Sequence, residues 1–156
     1  MTTTVTLAQV REALGAYEPP YEELAARFGV AAIPHLEELV RHGDTDIAAR
    51  AVYLAGCLAD ERAAAVVALG TARPEAIVRV AAAGAAGRLG PRLGSPLLVR
   101  LLEAEDLGVR KVALWAVPEE PEPALRAKVA AMAESEVAPS LRRLAEERLR
   151  AGASSR

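Results

Sequence analysis

Two histidines and a glutamate in one short segment are the first residues that could do chemistry. His35, Glu38 and His42 are spaced so that one face of a helix could carry all three. Imidazole and carboxylate groups are common zinc ligands. Seven residues of helix, however, separate the two rings by about 10.5 Å along the axis. This distance is too long for one ion, so the sequence predicts two exposed histidines and no metal site.

Nucleophilic and phosphate chemistry also lack the residues that they need. Cys57 has no histidine close in the sequence to activate its thiol, so we expect a small, partly buried side chain. The glycines from Gly84 to Gly94 follow no predicted strand and lack the Lys-Ser/Thr pair of a phosphate-binding loop. We therefore expect no catalytic residue, no cofactor and no enzymatic activity.

The charge balance and the apolar pattern exclude several classes of protein. The chain has 156 residues, 19 Lys and Arg against 21 Asp and Glu, a net charge of -2 and a pI of about 5.8. A general nucleic-acid binder would carry a clustered positive field, so nucleic-acid binding is the least favoured function. No run of about 18 apolar residues is free of charges, which predicts no membrane span. The start of the chain has no signal-peptide pattern, and the single cysteine favours the reducing cytoplasm.

The elements that must position any functional residue are predicted to be helices. Apolar residues recur at helical spacing, and proline and glycine fall between the segments. With 35 alanines and only five aromatic residues, the composition favours close-packed helices. We predict ten helices and no strand, at about 7–14, 21–28, 33–42, 46–59, 61–70, 75–89, 95–104, 108–116, 122–133 and 137–151.

A fixed period, equal to the spacing from Asp44 to Glu75 and from Glu75 to Asp106, runs through these helices. Each of these acids stands three positions before an apolar residue. The columns that follow are Ile47, Val78 and Val109, then Ala51, Ala82 and Ala113, then Leu54, Ala85 and Ala116. A fixed period of this length is typical of stacked repeats whose units cannot bury their apolar faces alone.

The periodicity predicts one domain made of a cap and four repeats. Residues 1–30 do not follow the period and are predicted to form an N-terminal helical cap that shields the first repeat. The repeats are placed at about 31–60, 61–90, 91–120 and 121–150, and residues 151–156 are predicted to be a disordered tail. The fourth unit is placed at a slightly shorter spacing than the others, with Glu134, Val137, Leu141 and Leu144 in its columns.

Three stretches carry a resemblance to a known family. They are Asp44-Thr45-Asp46-Ile47, Val78-Arg79-Val80-Ala81-Ala82 and Asp106-Leu107-Gly108-Val109-Arg110. An acidic residue, then Val-Arg, then small residues resembles the second helix of the short bacterial HEAT repeat of the phycobilisome-lyase-like type. The resemblance covers about residues 33–150 and implies a HEAT-type α-solenoid, a right-handed α-α superhelix. Ala48 and Ala138 depart from it by replacing the arginine, and Pro118 predicts a bend around 117–123.

The resemblance also implies a structural ladder between repeats. An acid at the start of each second helix (Asp44, Glu75, Asp106, Glu134) lies where free amides and the helix dipole favour negative charge. Arg79 and Arg110 are implied to reach such an acid in an adjoining unit. Because family members include scaffolds and subunits of bilin lyases, the resemblance implies the fold more strongly than the function.

Stacked second helices line the concave wall of such a solenoid, where extended partners commonly lie. The period predicts a partner-binding row of Tyr53, Gly84, Trp115 and Arg143 on this wall, with Arg50 and Arg88 beside it. Exposed aromatic rings flanked by arginine are typical of binding hot spots, and the glycine would leave a notch for a partner side chain. The alternative is that Trp115 fills a gap created by Pro118.

The sequence therefore predicts a cytoplasmic protein–protein interaction or scaffold module that binds an unidentified protein on its concave face. Arginine outnumbers lysine 17 to 2, a bias that resembles coding in GC-rich bacterial genomes. The alternative is an accessory subunit that assists an enzyme, as HEAT subunits of bilin lyases do. This alternative predicts that the groove holds a small conjugated ligand.

Overall fold

The computed structural model describes residues 4–154, and all regular structure in that range is helical. The predicted all-α fold is therefore confirmed. The helices are α1 (Leu7–Leu14), α2 (Tyr21–Phe28), α3 (Ile33–His42), α4 (Thr45–Cys57), α5 (Ala63–Thr71), α6 (Ala76–Arg88), α7 (Pro91–Leu101), α8 (Leu107–Trp115), α9 (Pro123–Ser135) and α10 (Pro139–Ser154), with a 3-10 turn at Gly29–Ala32.

Polar side chains cap the N-termini of several of these helices. Thr6 forms a capping box at the start of α1. The Asp44 carboxylate accepts a 2.9 Å hydrogen bond from the backbone N–H of Ile47 at the start of α4. The Asp106 carboxylate accepts a 3.0 Å bond from the Val109 N–H in the same way at α8. These bonds satisfy amides that the first turn of a helix leaves without a partner, so two of the predicted acids do cap second helices.

The helices stack into a helical solenoid with two layers. From α3 onward, the helices pair as the hairpins α3–α4, α5–α6, α7–α8 and α9–α10, and each helix also packs against the helix two places along the chain. The odd-numbered helices form one layer and the even-numbered helices form the other. At the N-terminal end, α1 packs against α3 and α4, and α2 packs against α4, so both layers continue into the predicted cap. A continuous core lies between the layers, with Val78 and Val109 fully buried and Ile47 packed at its edge.

Small residues bring the even-numbered helices unusually close together. A methyl group on Gly56 of α4 would lie 2.6 Å from the Ala85 Cα of α6. One period later, a methyl group on Gly87 of α6 would lie 3.1 Å from the Ala116 Cβ at the end of α8. In the N-terminal half, consecutive even-numbered helices also contact each other more extensively than odd-numbered ones do. Since the more closely packed layer of a curved stack lies inside the curve, the even-numbered helices form the concave wall, here called the inner face.

The fourth unit starts later along the chain than the sequence predicts. Glu134 lies in the last turn of α9, and the acidic residue that precedes α10 is Glu136. Val137 is 89% exposed and outside the core. Leu141 is buried instead, so the spacing from Val109 to its counterpart is slightly longer than the regular period and not shorter. The prediction was wrong here because the proline-rich connection 116–122 lengthens the unit.

The C-terminal helix is longer than predicted. Residues 151–154 belong to α10 and do not form a disordered tail. A methyl group on Gly152 would lie 2.6 Å from the Glu119 carbonyl oxygen, so α10 packs tightly on the connection 116–122 as far as its last turn. Residues 155–156 of the predicted tail and residues 1–3 of the predicted cap lie outside the described residues.

Candidate functional site

Three of the predicted row residues occupy equivalent positions on consecutive inner helices. Tyr53 lies on α4, Gly84 lies one period later on α6, and Trp115 lies a further period later at the end of α8. The Tyr53 Cε2 atom lies 3.8 Å from the position that a Cβ of Gly84 would take. The expected notch at Gly84 is thus partly filled by the Tyr53 ring.

The fourth predicted member, Arg143, lies one helical turn from this row. With the longer spacing before α10, the residue equivalent to Trp115 is Glu147, and Arg143 is equivalent to Lys111. Arg143 is exposed and donates a long hydrogen bond of 3.4 Å to the Pro139 carbonyl oxygen. Lys111 and Arg143 are thus equivalent cations on α8 and α10, here called the cationic column of the inner face.

Tyr53 is enclosed by the N-terminal helices. The Tyr21 ring of α2 meets it edge to face, with the centroids 4.7 Å apart and the planes at 61°. The Arg88 guanidinium lies over the same ring, 5.9 Å from its centroid. Tyr53 is consequently half-buried and already has protein neighbours on the face where a partner would bind.

The two flanking arginines hold the N-terminal helices in place. Arg50 Nη1 donates hydrogen bonds of 2.6 Å to the carbonyl oxygens of Leu14 and Ala16, at the end of α1. Arg88 forms an ion pair with Glu22 of α2, reaching across α4 from α6. Both guanidinium groups are engaged within the chain, which differs from the expectation that they face a partner.

Trp115 has a much more open environment. Its side chain is 55% exposed, and the Lys111 ammonium lies 4.8 Å from its ring centroid, one turn earlier on α8. Val117, which is 3% exposed, is the apolar residue buried next to Pro118. The indole ring therefore lies on the surface and does not fill the space beside the proline.

An apolar cavity continues the inner face between α2, α4 and α6. Its volume is about 250 Å³, and it is lined mainly by Tyr21, Ala49, Tyr53, Ile77, Val80 and Ala81. Ile77 is 54% exposed although it is a large aliphatic residue. Together with Trp115, it gives the inner face two exposed apolar anchors on neighbouring helices.

Two groups of this region, the Cys57 thiol and the Tyr21 hydroxyl, have a raised pKa. Burial raises the pKa of the Cys57 thiol, which keeps it protonated and poorly nucleophilic. Burial also raises the pKa of the Tyr21 hydroxyl. Neither shift produces the lowered thiol or hydroxyl pKa that an activated nucleophile requires.

The two arginines of the predicted ladder have hydrogen-bond partners that the sequence did not predict. Arg79 Nη1 donates to the carbonyl oxygens of Arg73 and Pro74, at 2.9 and 2.7 Å, and not to an acid of an adjoining unit. Arg110 Nη1 makes the equivalent 2.8 Å bond to the Ala104 carbonyl oxygen, six residues earlier. These arginines thus brace the turn before their own helix, where carbonyl groups would otherwise lack partners.

Arg110 also reaches the next unit, as expected for a ladder. Its Nη2 lies 3.1 Å from Glu136 Oε1, and both side chains are largely buried. The acid is Glu136 and not Glu134, because of the later start of α10. One of the two predicted arginines therefore links neighbouring repeats through a carboxylate.

A residue outside the predicted set serves the first repeat, where Ala48 replaces the arginine. Arg73 donates to the Val40 carbonyl oxygen at 2.7 Å and to the Gly43 carbonyl oxygen at 3.4 Å. Arg73 also pairs with Glu75 through bonds of 2.5 and 2.9 Å. This pairing turns Glu75 away from the capping position and lowers the pKa of its carboxyl to about 2.

Sequence reasoning missed the residues that depend on contacts between distant segments. Tyr21, Arg73 and Lys111 shape the inner face or its support, but Tyr21 and Arg73 lie outside the repeat columns. Only Lys111 carried a usable signal, because it stands one helical turn before Trp115.

The predicted histidines are separated as expected, but one of them is engaged. His35 Nε2 lies 2.9 Å from the Val5 carbonyl oxygen and fixes the segment before α1, whereas His42 is exposed. Between residues 4 and 154, no three His, Cys, Asp or Glu side chains converge as metal ligands would. None of the helices described combines the length and the apolar character that crossing a membrane requires.

Comparison with known proteins shows the fold. No protein-family model and no curated protein matches the sequence. The structure is similar to that of a chain from the complex of CpcE and CpcF of phycocyanin lyase from Nostoc sp. PCC7120, with a TM-score of 0.70 and 16% sequence identity. The match covers 91% of this chain and 96% of that chain, so the two share most of the fold.

Proposed function

We propose that this chain is a non-catalytic HEAT-type module of the bacterial cytoplasm that binds another protein on its inner face. The observation that carries the proposal is Trp115, a large aromatic residue more than half exposed on a rigid inner helix. Such residues dominate the affinity of many protein interfaces. Lys111 beside the ring adds a cation that can pair with an acidic group of the partner.

The inner face supports this role better than the other surfaces do. Ile77 and the apolar cavity beside it give a second contact area on α6, the helix that neighbours α8. Arg143 extends the cationic column to α10. We infer that the partner contacts Trp115, Lys111 and Ile77, while Tyr53, Arg50 and Arg88 maintain the shape of the wall.

A photo-crosslinking experiment tests the proposed face. A benzoylphenylalanine residue is placed at position 115 in one sample and at position 17 in a matched control. Tyr17 is 93% exposed on the turn between α1 and α2 and does not line the inner-face cavity, so it controls for exposed aromatic character. We expect position 115 to crosslink to one protein reproducibly, and position 17 to leave that protein unlinked.

The purified partner then allows a quantitative comparison. Trp115→Ala is expected to weaken binding at least tenfold, which corresponds to about 1.4 kcal/mol, and Tyr17→Ala to leave it unchanged. Undiminished binding by Trp115→Ala, or equal losses in both variants, would refute the inner-face site.

A second form of this function has its own support. The similar structure comes from a complex of two proteins of a lyase, which favours an accessory enzyme subunit over a free-standing scaffold. An accessory subunit is expected to form a stoichiometric complex with its partner and to raise the partner's catalytic rate. A scaffold would bind without changing that rate, so an activity assay with and without this chain distinguishes the two forms.

A further inference from the structure

A second cavity lies at the C-terminal end, away from the exposed apolar anchors of the inner face. It has a volume of about 280 Å³ and lies between α9, α10 and the connection 116–122. Its apolar lining includes Val117, Val129 and Leu149. The volume is far above the roughly 10–15 Å³ that one water molecule needs, and close to the lower end of small-molecule sites.

Two arginines, Arg126 and Arg148, border this apolar space. Arg148 Nη2 donates a 2.6 Å hydrogen bond to the Val117 carbonyl oxygen, which fixes the guanidinium group. The Nε atom of Arg148 is buried and has no hydrogen-bond partner. This buried Nε is closed to the cavity, so a ligand would meet the Nη atoms, and a fixed guanidinium group can match the two oxygens of a carboxylate.

Arg79 and Arg110 also have a buried Nε without a partner, but their surroundings differ. Each lies beside an open groove bordered by two glutamates, which are Glu103 and Glu105 for Arg79, and Glu103 and Glu136 for Arg110. Each groove also has a second cation, Arg100 beside Arg79 and Lys128 beside Arg110, so the charges that line it balance. The cavity at Arg148 has two arginines and only one bordering acid among its lining residues, Glu119.

The cavity occurs where the regular packing of the inner layer ends. Gly56 and Gly87 are followed, one period later, by Pro118, which lies in the connection after α8. α8 and α10 consequently pack together less extensively than α4 and α6. Gly152 lets α10 approach the Glu119 carbonyl oxygen, which closes one side of the space.

We propose that this cavity binds a small monocarboxylate with an apolar body. The carboxylate pairs with Arg148 and Arg126, and the apolar body lies against Val117, Val129 and Leu149. Its lining residues do not include the proposed partner contacts Trp115, Lys111 and Ile77.

Titration of the full chain with hexanoate and benzoate, followed by methyl NMR, tests the site. We expect one of these acids to shift the methyl signals of Val117, Val129 and Leu149 and to saturate in the millimolar range or below. 1-Hexanol, which has the same body as hexanoate without the charge, is expected to bind at least tenfold more weakly. Acetate, which lacks the body, is expected to bind weakly as well.

Two variants and one control complete the experiment. Arg148→Met removes the charge, and Ala153→Trp blocks the cavity from its exposed rim while leaving Arg148 in place, so one remains informative if the other folds poorly. Both are expected to lose at least tenfold in affinity, while Arg150→Met, an exposed arginine of the same helix outside the cavity, binds normally. The proposal would be overturned if neither hexanoate nor benzoate bound, if hexanol bound as tightly as hexanoate, or if a folded Arg148→Met chain kept its affinity.

Discussion

Tyr53 and Trp115 occupy the same repeat column, two periods apart, yet their surroundings are opposite. Tyr53 lies against the Tyr21 ring and under the Arg88 guanidinium. Trp115 is 55% exposed and has the Lys111 ammonium over its ring. The difference arises because α2 covers the inner face beside α4, whereas no helix of the described chain covers it beside α8 in the same way. A position in the repeat therefore fixes where a side chain points, and its neighbours determine what it can bind.

The packing of the inner helices also differs between the N-terminal and C-terminal halves. In the N-terminal half, Gly56 and Gly87 allow α4, α6 and α8 to approach closely. The third position of that column is Pro118, and the contact between α8 and α10 is less extensive. The inner layer is thus more closely packed between α4 and α6 than between α8 and α10, although Ile77 and the cavity beside it remain open in the N-terminal half.

The largest expected effect comes from exchanging the two aromatic residues for alanine. Tyr53→Ala should destabilise the fold by about 2–3 kcal/mol, because it removes a half-buried ring from between two helices. Trp115→Ala should change stability by no more than about 1 kcal/mol, since its ring is mostly in solvent. Urea unfolding monitored by circular dichroism measures both values.

A conservative variant separates the role of the ring from that of the hydroxyl. Tyr53→Phe keeps the contacts with Tyr21 and Arg88 and should stay within about 1 kcal/mol of the unmodified chain. If Trp115→Ala proved the more destabilising alanine variant, Trp115 would be a core residue and the comparison would be wrong.

The glycine column offers a smaller effect of the same kind. Gly56→Ala places a methyl group 2.6 Å from backbone atoms of Ala85, which cannot move without shifting α6. Overpacking of about 1–3 kcal/mol should exceed the helix-propensity gain of roughly 1 kcal/mol, giving a net loss of about 1 kcal/mol. Gly87→Ala meets the Ala116 methyl group at 3.1 Å and should be nearly neutral. Thermal unfolding of both variants tests whether α4 and α6 pack more tightly than α6 and α8. Equal melting temperatures would contradict that difference.

The fold could be predicted largely from the sequence because each repeat uses the same chemistry. An acid before the second helix recurs at a fixed spacing, and so does a buried valine, at Val78 and Val109. The position of each can be recognised from the few residues around it. Helix boundaries were less predictable where turn geometry decides. α7 begins at Pro91 and not near residue 95, because Gly90 has a φ of 86° and Pro91 fits the first turn.

The candidate site was harder to predict because it depends on contacts across the stack. The column of Tyr53 and Trp115 follows from the period, but the sequence does not show that Arg50 reaches the end of α1 or that Arg88 reaches Glu22. Both contacts join segments that lie far apart in the sequence, where no local pattern applies. The repeat position of α10, and with it that of Arg143, depends on where α8 ends and α9 begins, which only the structure shows.

The smallest effect concerns the Arg73–Glu75 pair. Arg73 also donates hydrogen bonds to the carbonyl oxygens of Val40 and Gly43 in the turn before α4. Pairing with Arg73 lowers the pKa of Glu75 from 4.5 to about 2, so its contribution to stability is present above about pH 4.5 and is lost as the pH falls towards 2. Glu75→Gln should therefore lower the urea midpoint slightly at neutral pH, and the difference from the unmodified chain should shrink as the pH falls below about 4. Glu120→Gln, at an exposed carboxylate of the connection 116–122, serves as the control. A Glu75→Gln difference that stays constant across this range would show that the ion pair does not brace the turn, leaving the Arg73 bonds to the Val40 and Gly43 carbonyls as its support.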